Sequence, residues 1–130
     1  LFRSIEAASA EADRSLKWLM LDEARRMAVA SGNAKSLDRA IVLASATYEF
    51  DAEAEELRSL KEIPVRLLAP ERAVAFAEVA EQVASRAESD GRRDVAIMSL
   101  NLAVRGWQRA GAIPAARKAA ARHDALIVGR

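Results

Sequence analysis

The chain of 130 residues holds one histidine, His123, and no cysteine, so any chemistry it performs must come mainly from carboxylates, arginines, hydroxyls and aromatics. His123 falls at helical spacing with Ile113, Ala116, Ala120 and Ile127, which reads as a half-buried histidine on a packed helix. No second His or Cys exists to complete a metal site. Carboxylates gather at Glu49, Asp51, Glu53, Glu55 and Glu56. Paired carboxylates serve glycoside hydrolysis, but these open a helix, where the dipole favours acids for structural reasons. Gly91-Arg92-Arg93 is a helix-entry turn whose free N–H groups and two arginines suit an anion, without the glycine pattern of a phosphate loop. Trp107 continues an apolar stripe and belongs to the core. Trp18 lies off the centre of its stripe beside Lys17; exposed, it would anchor a peptide or sugar ring, but packing against an N-terminal helix is the favoured expectation. These residues predict no catalytic, metal or cofactor site. They leave Trp18, Arg92, Arg93, Arg117, Arg122 and His123 as candidate interaction residues.

The elements that position them are helices. Arg14 to Ala30 carries Leu16, Met20, Ala24, Met27 and Ala28 at spacings of three and four, with Leu19 and Leu21 widening the stripe. Asp13 or Ser15 is expected to cap its start, and Gly32 to close its end. A second helix follows the Ser31-Gly32-Asn33 turn, with Leu37, Ala40, Ile41, Ala44 and Tyr48 on one face and Ser36 or Asp38 as cap or first-turn acid. Such a short connection makes the two antiparallel neighbours. Ahead of them, residues 1–12 are helical with Phe2, Ile5 and Ala8 or Ala12 on one side, either a separate short helix, which is favoured, or a frayed extension of the next.

Downstream, a third helix spans about 51–69, marked by Leu57, Leu60, Leu67 and Leu68 and broken near Glu62–Ile63 by Pro64. Pro70 opens a fourth, with Phe76, Val79, Ala80, Val83, Ala84 and Ala87 inward, and Asp90-Gly91 ends it. A fifth, about 92–110, carries Ala96, Ile97, Leu100, Ala103, Val104 and Trp107; a sixth follows Gly111 and runs to about Val128. A gapless shift of 56 positions overlays the first pair on the fourth and fifth helices, placing Ala24 on Ala80, Ala28 on Ala84, Asp38 on Asp94 and Ile41 on Ile97. The alanines of that register, Ala24, Ala28, Ala80 and Ala84, are expected at helix crossings.

Leu19-Met20-Leu21-Asp22-Glu23-Ala24-Arg25, then Gly32-Asn33, then Ala40-Ile41-Val42-Leu43-Ala44 and Tyr48-Glu49-Phe50-Asp51 resemble an Ala-rich helical module of large multidomain bacterial proteins, over roughly residues 13–126. More broadly, paired helices with small residues at their crossings resemble tetratricopeptide-like stacks, although the 34-residue consensus of those repeats is absent. The resemblance implies an all-α, right-handed solenoid of stacked antiparallel hairpins, about 13–50, 51–89 and 92–128, in one domain. It further implies a spacer or interaction platform beside sugar-binding, sulfatase-related or hydrolase domains, with no chemistry of its own.

Charge is balanced overall, at +1, so no global field draws nucleic acid or membrane. It is uneven along the chain: residues 91–130 hold eight Lys/Arg against Asp94 and Asp124, and the preceding ninety carry a net five negative charges. The absence of Cys excludes disulfides without fixing a compartment. A start at Leu rather than Met reads as a piece excised from a longer protein. The expected role is therefore a non-catalytic scaffold with a protein partner, a neighbouring domain or weak self-association. The alternatives are a small-molecule or sugar-binding helical bundle, or a weak anion- or nucleic-acid-binding domain using the basic C-terminal helices. Nucleic acid is disfavoured because no aromatic residues interleave with the arginines.

Overall fold

The computed structural model describes residues 2–48 and 50–129, with side chains from residue 14 onward except Thr47. Among them are six α-helices and no strand: α1 (Phe2–Ser31), α2 (Ala34–Thr47), α3 (Ala52–Glu62), α4 (Pro70–Ser89), α5 (Arg93–Ala110) and α6 (Ile113–Val128). A single 3-10 turn, Val65–Leu67, joins α3 to α4. The boundaries follow local chemistry. Pro64 cannot continue the α3 ladder, and Ile63 before it turns to extended backbone at ψ 124°. Pro70 sits in the first turn of α4, where its missing N–H costs nothing.

Three of the helix ends are built alike. Gly32, Gly91 and Gly111 adopt φ of 68°, 72° and 76°, a region open to glycine at no steric cost. The N–H of each reaches back three residues and that of the next residue five, as in Asn33 N to Ala28 O at 2.8 Å and Arg92 N to Ala87 O at 2.7 Å. Asn33 also starts α2, its side chain accepting the Ser36 N–H at 3.1 Å. Asn33, rather than Ser36 or Asp38, is thus the cap.

Each helix touches the next in sequence, and α1 with α3, α2 with α4 and α3 with α5 also meet. The centre is α4, where Ala73, Phe76, Ala77, Val79, Ala80, Val83, Ala84 and Ala87 all have zero exposure, so the expected inward face holds throughout. Its broadest neighbour is α5, which approaches closely at Gly106: a Cβ there would lie 2.9 Å from Ala77 Cβ and 3.1 Å from the Ala73 carbonyl oxygen. Leu37, Leu60 and Leu100 fill the remaining core from α2, α3 and α5.

Three expectations are corrected. The N-terminal stretch is not a separate short helix, because α1 runs unbroken through Asp13 and Ser15, which therefore cannot cap a start there. The faces expected of Phe2, Ile5, Ala8 and Ala12 lie outside the described side chains. Most of the stripe assigned to the core of α1 is instead its outer side: Leu16, Met20 and Met27 are 58%, 65% and 63% exposed, and Ala24 is exposed as well, while Ala28 is buried and Leu21 half-buried as expected. Inward go Leu21, Arg25, Ala28 and Val29. Finally, the matching turns Gly32 and Gly91 are 59 positions apart, so the 56-residue register is displaced by nearly one helical turn. In the turn-matched register Ala28, Ala40, Ile41 and Ala44 fall on Ala87, Ser99, Leu100 and Ala103, all buried.

Replacing Gly106 by Ala should lower stability, although helix propensity alone favours Ala by about 1 kcal/mol, because overpacking at such a crossing costs about 1–3 kcal/mol. Ala84→Leu should also destabilise by about 1–3 kcal/mol, while Ala24→Leu should leave the unfolding free energy within about 0.5 kcal/mol of the parent. Chemical denaturation of the three variants checks both the crossing and the corrected face of α1.

Candidate functional site

Most of the acid-rich start of α3 is structural. Asp51 caps the helix by accepting the Ala54 N–H at 3.1 Å and pairs with Arg92 from the α4–α5 turn. That backbone bond, with help from Arg92, holds its carboxyl below the usual range. Glu53 moves the other way, raised by hydrogen bonding with the Asp90 carboxyl and by burial. Glu55 pairs with Arg58 one turn along. Glu49 lies outside the described residues.

Glu56 departs from the pattern. It is 1% exposed, between α2 and α4, and its Oε1 accepts from Arg86 Nη2 at 3.2 Å. The same nitrogen donates to Asp38 Oδ1 at 2.8 Å. Burial, then hydrogen bonding with Asp38 and its charge, pushes Glu56 up to about 9, so it is a neutral acid at pH 7. Burial alone would raise Asp38 too, but its hydrogen bonds with Glu56 and Arg86, and the charges of Arg86 and Lys35, hold it lower. One neutral acid beside one carboxylate is the electronic arrangement of an acid–base pair. Here the acid is sealed from solvent and cannot reach a substrate. The cluster instead clamps α2, α3 and α4 together, and Arg25 makes a similar tie from α1, donating to the buried Ser59 Oγ at 3.1 Å.

The candidate interaction residues do not converge. Trp18 is 39% exposed and packs edge-on against Tyr48 and Phe50, with ring centroids at 5.2 and 5.7 Å, rather than against a further helix. The cavity beside it measures about 20 Å³, room for about one water and not for a sugar ring. Arg92 is engaged with Asp51, and Arg122 ties α6 to α4 through Glu88 at 2.9 Å and Glu81 at 3.7 Å. His123 is half-buried, its Nδ1 3.1 Å from the Asp124 carboxylate. Arg93 and Arg117 are exposed in separate shallow depressions. Trp107, half-buried against the core, donates its indole N–H to Glu81 at 3.2 Å.

Two open grooves are larger. One, about 680 Å³, lies along α2 and α4 and is acidic, but Asp38, Glu78 and Glu81 each have a cationic partner. The other, about 710 Å³, runs between the end of α3 with its 3-10 turn and α5, and is basic. The sequence held a signal for the clamp: Glu56 precedes Leu60 and Ile63 by four and seven, on the core face of α3. The basic groove had none, since its two walls are some forty residues apart. Among the described residues no three His, Cys, Asp or Glu gather as metal ligands, and no helix is long and apolar enough to cross a membrane.

Comparison with family models, with curated proteins and with solved structures finds no match to this chain. What the fold defines is a class, an all-α protein whose polar clusters join helices.

Glu56 binds its proton more tightly folded than unfolded, between the ordinary 4.5 and about 9. Its stabilising contribution is therefore complete below pH 4.5 and fades as pH rises through about 9. Glu56→Gln, neutral at every pH, should flatten the fall in Tm between pH 6 and 9, and calorimetry across that range checks it.

Proposed function

We propose that this chain is a non-catalytic protein-interaction or spacer module, a right-handed, tetratricopeptide-like stack of three hairpins, about 13–50, 51–89 and 92–128. In support, each helix meets the next in sequence, and α1 with α3, α2 with α4 and α3 with α5 also meet, as neighbouring hairpins in a stack would. The clustered polar groups also serve as ties between helices rather than as a reaction centre.

The observation that carries the reading is the outer face of α1. Leu16, Leu19, Met20 and Met27 are between 58% and 65% exposed on the side opposite the core, whereas α4 leaves no such side chain uncovered. Unbranched methionines adapt to a partner helix, and an uncovered stripe of this length marks a contact surface. The occupant we propose is α6 of a second copy. Along one flank α6 carries Ile113, Ala120 and Ile127 at intervals of seven, and Ile113 and Ile127 are 47% and 43% exposed. Arg117 sits within that flank, as Glu23 sits within the α1 stripe, so an opposite-charge pair can cross the contact. A contact between different faces repeats head to tail.

Sedimentation velocity should therefore show weak self-association that grows with concentration and diminishes at high salt. Met20→Lys combined with Met27→Lys should abolish it without unfolding the monomer, since both side chains are exposed. A strict monomer at high concentration in both buffers would overturn this reading.

A further inference from the structure

The basic groove between α3 and α5 is built differently from every other charged surface described. Its cations are Lys61 and Arg66 on one wall and Arg105 and Arg109 on the other. Glu62 is the one acid lining it, and its carboxylate is already paired with Arg25 at 3.6 Å and Arg58 at 3.6 Å. None of the four cations has a carboxylate within 4.0 Å among the described residues; Arg14, Lys17, Arg39, Arg72, Arg93, Arg117 and Lys118 lack one as well, but these four share one groove, whereas Arg25, Arg26, Lys35, Arg58, Arg86, Arg92 and Arg122 are paired. Arg109 is further fixed, its Nε donating to the Leu68 carbonyl at 2.8 Å, which holds the guanidinium at the groove edge. Four unpaired like charges around one concavity raise each other's energy, and a bound anion relieves all four at once.

The groove is not purely ionic. Ile63 and Leu102, 3% and 6% exposed, form its floor with Val65. That floor belongs to the core, so the groove does not depend on a mobile loop. No aromatic residue lines it, which removes the stacking platform that single-stranded nucleic acid uses. The overall charge of +1 supplies no field for a long polyanion.

We infer that this groove docks a short acidic peptide segment of a partner protein, its carboxylates on Lys61, Arg66, Arg105 and Arg109 and an aliphatic side chain on the Ile63–Leu102 floor. The groove adjoins the α6 flank at Gln108, but none of its four cations lies on that flank or on the outer face of α1, so charge reversal in the groove tests the inference independently of self-association.

Fluorescence anisotropy with the full chain tests it, using a labelled peptide that alternates Glu with Leu. Three comparison probes are a Glu–Ser version, a Lys–Leu version and a single-stranded oligonucleotide. The Glu–Leu peptide should bind best, its affinity should fall with salt, and the Glu–Ser version should be about tenfold weaker. Lys61→Glu with Arg105→Glu, both at exposed positions, should abolish binding while circular dichroism melting shows the fold retained. Arg39→Glu, at an exposed position of α2 that does not line the groove, should leave binding unchanged. Equal binding of the Glu–Leu and Lys–Leu peptides would overturn the inference. So would tighter binding of the oligonucleotide, or full competition by millimolar phosphate, which would mean a simple anion site.

Discussion

The distance between α4 and α5 is the constraint on which the other helices depend. Gly106 meets Ala73 and Ala77 with no space for a methyl group, and Ala80, Ala84 and Ala87 continue the buried small-residue face of α4. Small side chains let two backbones approach, and each contact is then made by many atoms at near-optimal separation. Phe76, Val79 and Val83 supply the bulk that α4 presents to the rest of the core. Because α4 is buried over so wide a sector, α2, α3 and α5 can all meet it, and α6 reaches it through Arg122.

Around that apolar centre, orientation is set by charge. Arg86 joins α4 to α2 and α3, Arg92 joins the α4–α5 turn to the start of α3, and Arg122 joins α6 to α4. A buried ionic cluster adds little net stability once desolvation is counted, but removing one partner leaves the others uncompensated. We therefore assign the Glu56–Asp38–Arg86 cluster a role in fixing which helices neighbour each other. The four cations of the α3–α5 groove take no part in these ties and line one concavity without a carboxylate partner among the described residues.

The helices themselves were legible from punctuation. Pro64, Pro70, Gly91 and Gly111 marked ends that the structure reproduces, since each acts through its own backbone. What failed was the choice of face on α1. Both sides of that helix are apolar: Leu16, Met20 and Met27 on one, Leu21, Ala28 and Val29 on the other. Periodicity shows that a stripe exists and not what covers it. The internal match slipped from 59 to 56 positions for a related reason, because alanines three apart look equivalent in an Ala-rich helix. Glu56 was masked by its company, one acid among several where the helix dipole favours acids, and only its spacing of four to Leu60 set it apart from Glu55. The basic groove is a tertiary product of Lys61 and Arg66 meeting Arg105 and Arg109, with no local pattern to announce it.

The central claim is that the core belongs to α4 and α5, while α1 is a rim helix with one face packed and the other open. Native-state hydrogen exchange of the dilute protein measures this directly, because amides in a sealed core exchange only through global unfolding. Amides of α4 and α5 should share the highest opening free energy, and those of α1 should open at a distinctly lower one. Protection of α1 equal to that of α4 in dilute solution would contradict the account.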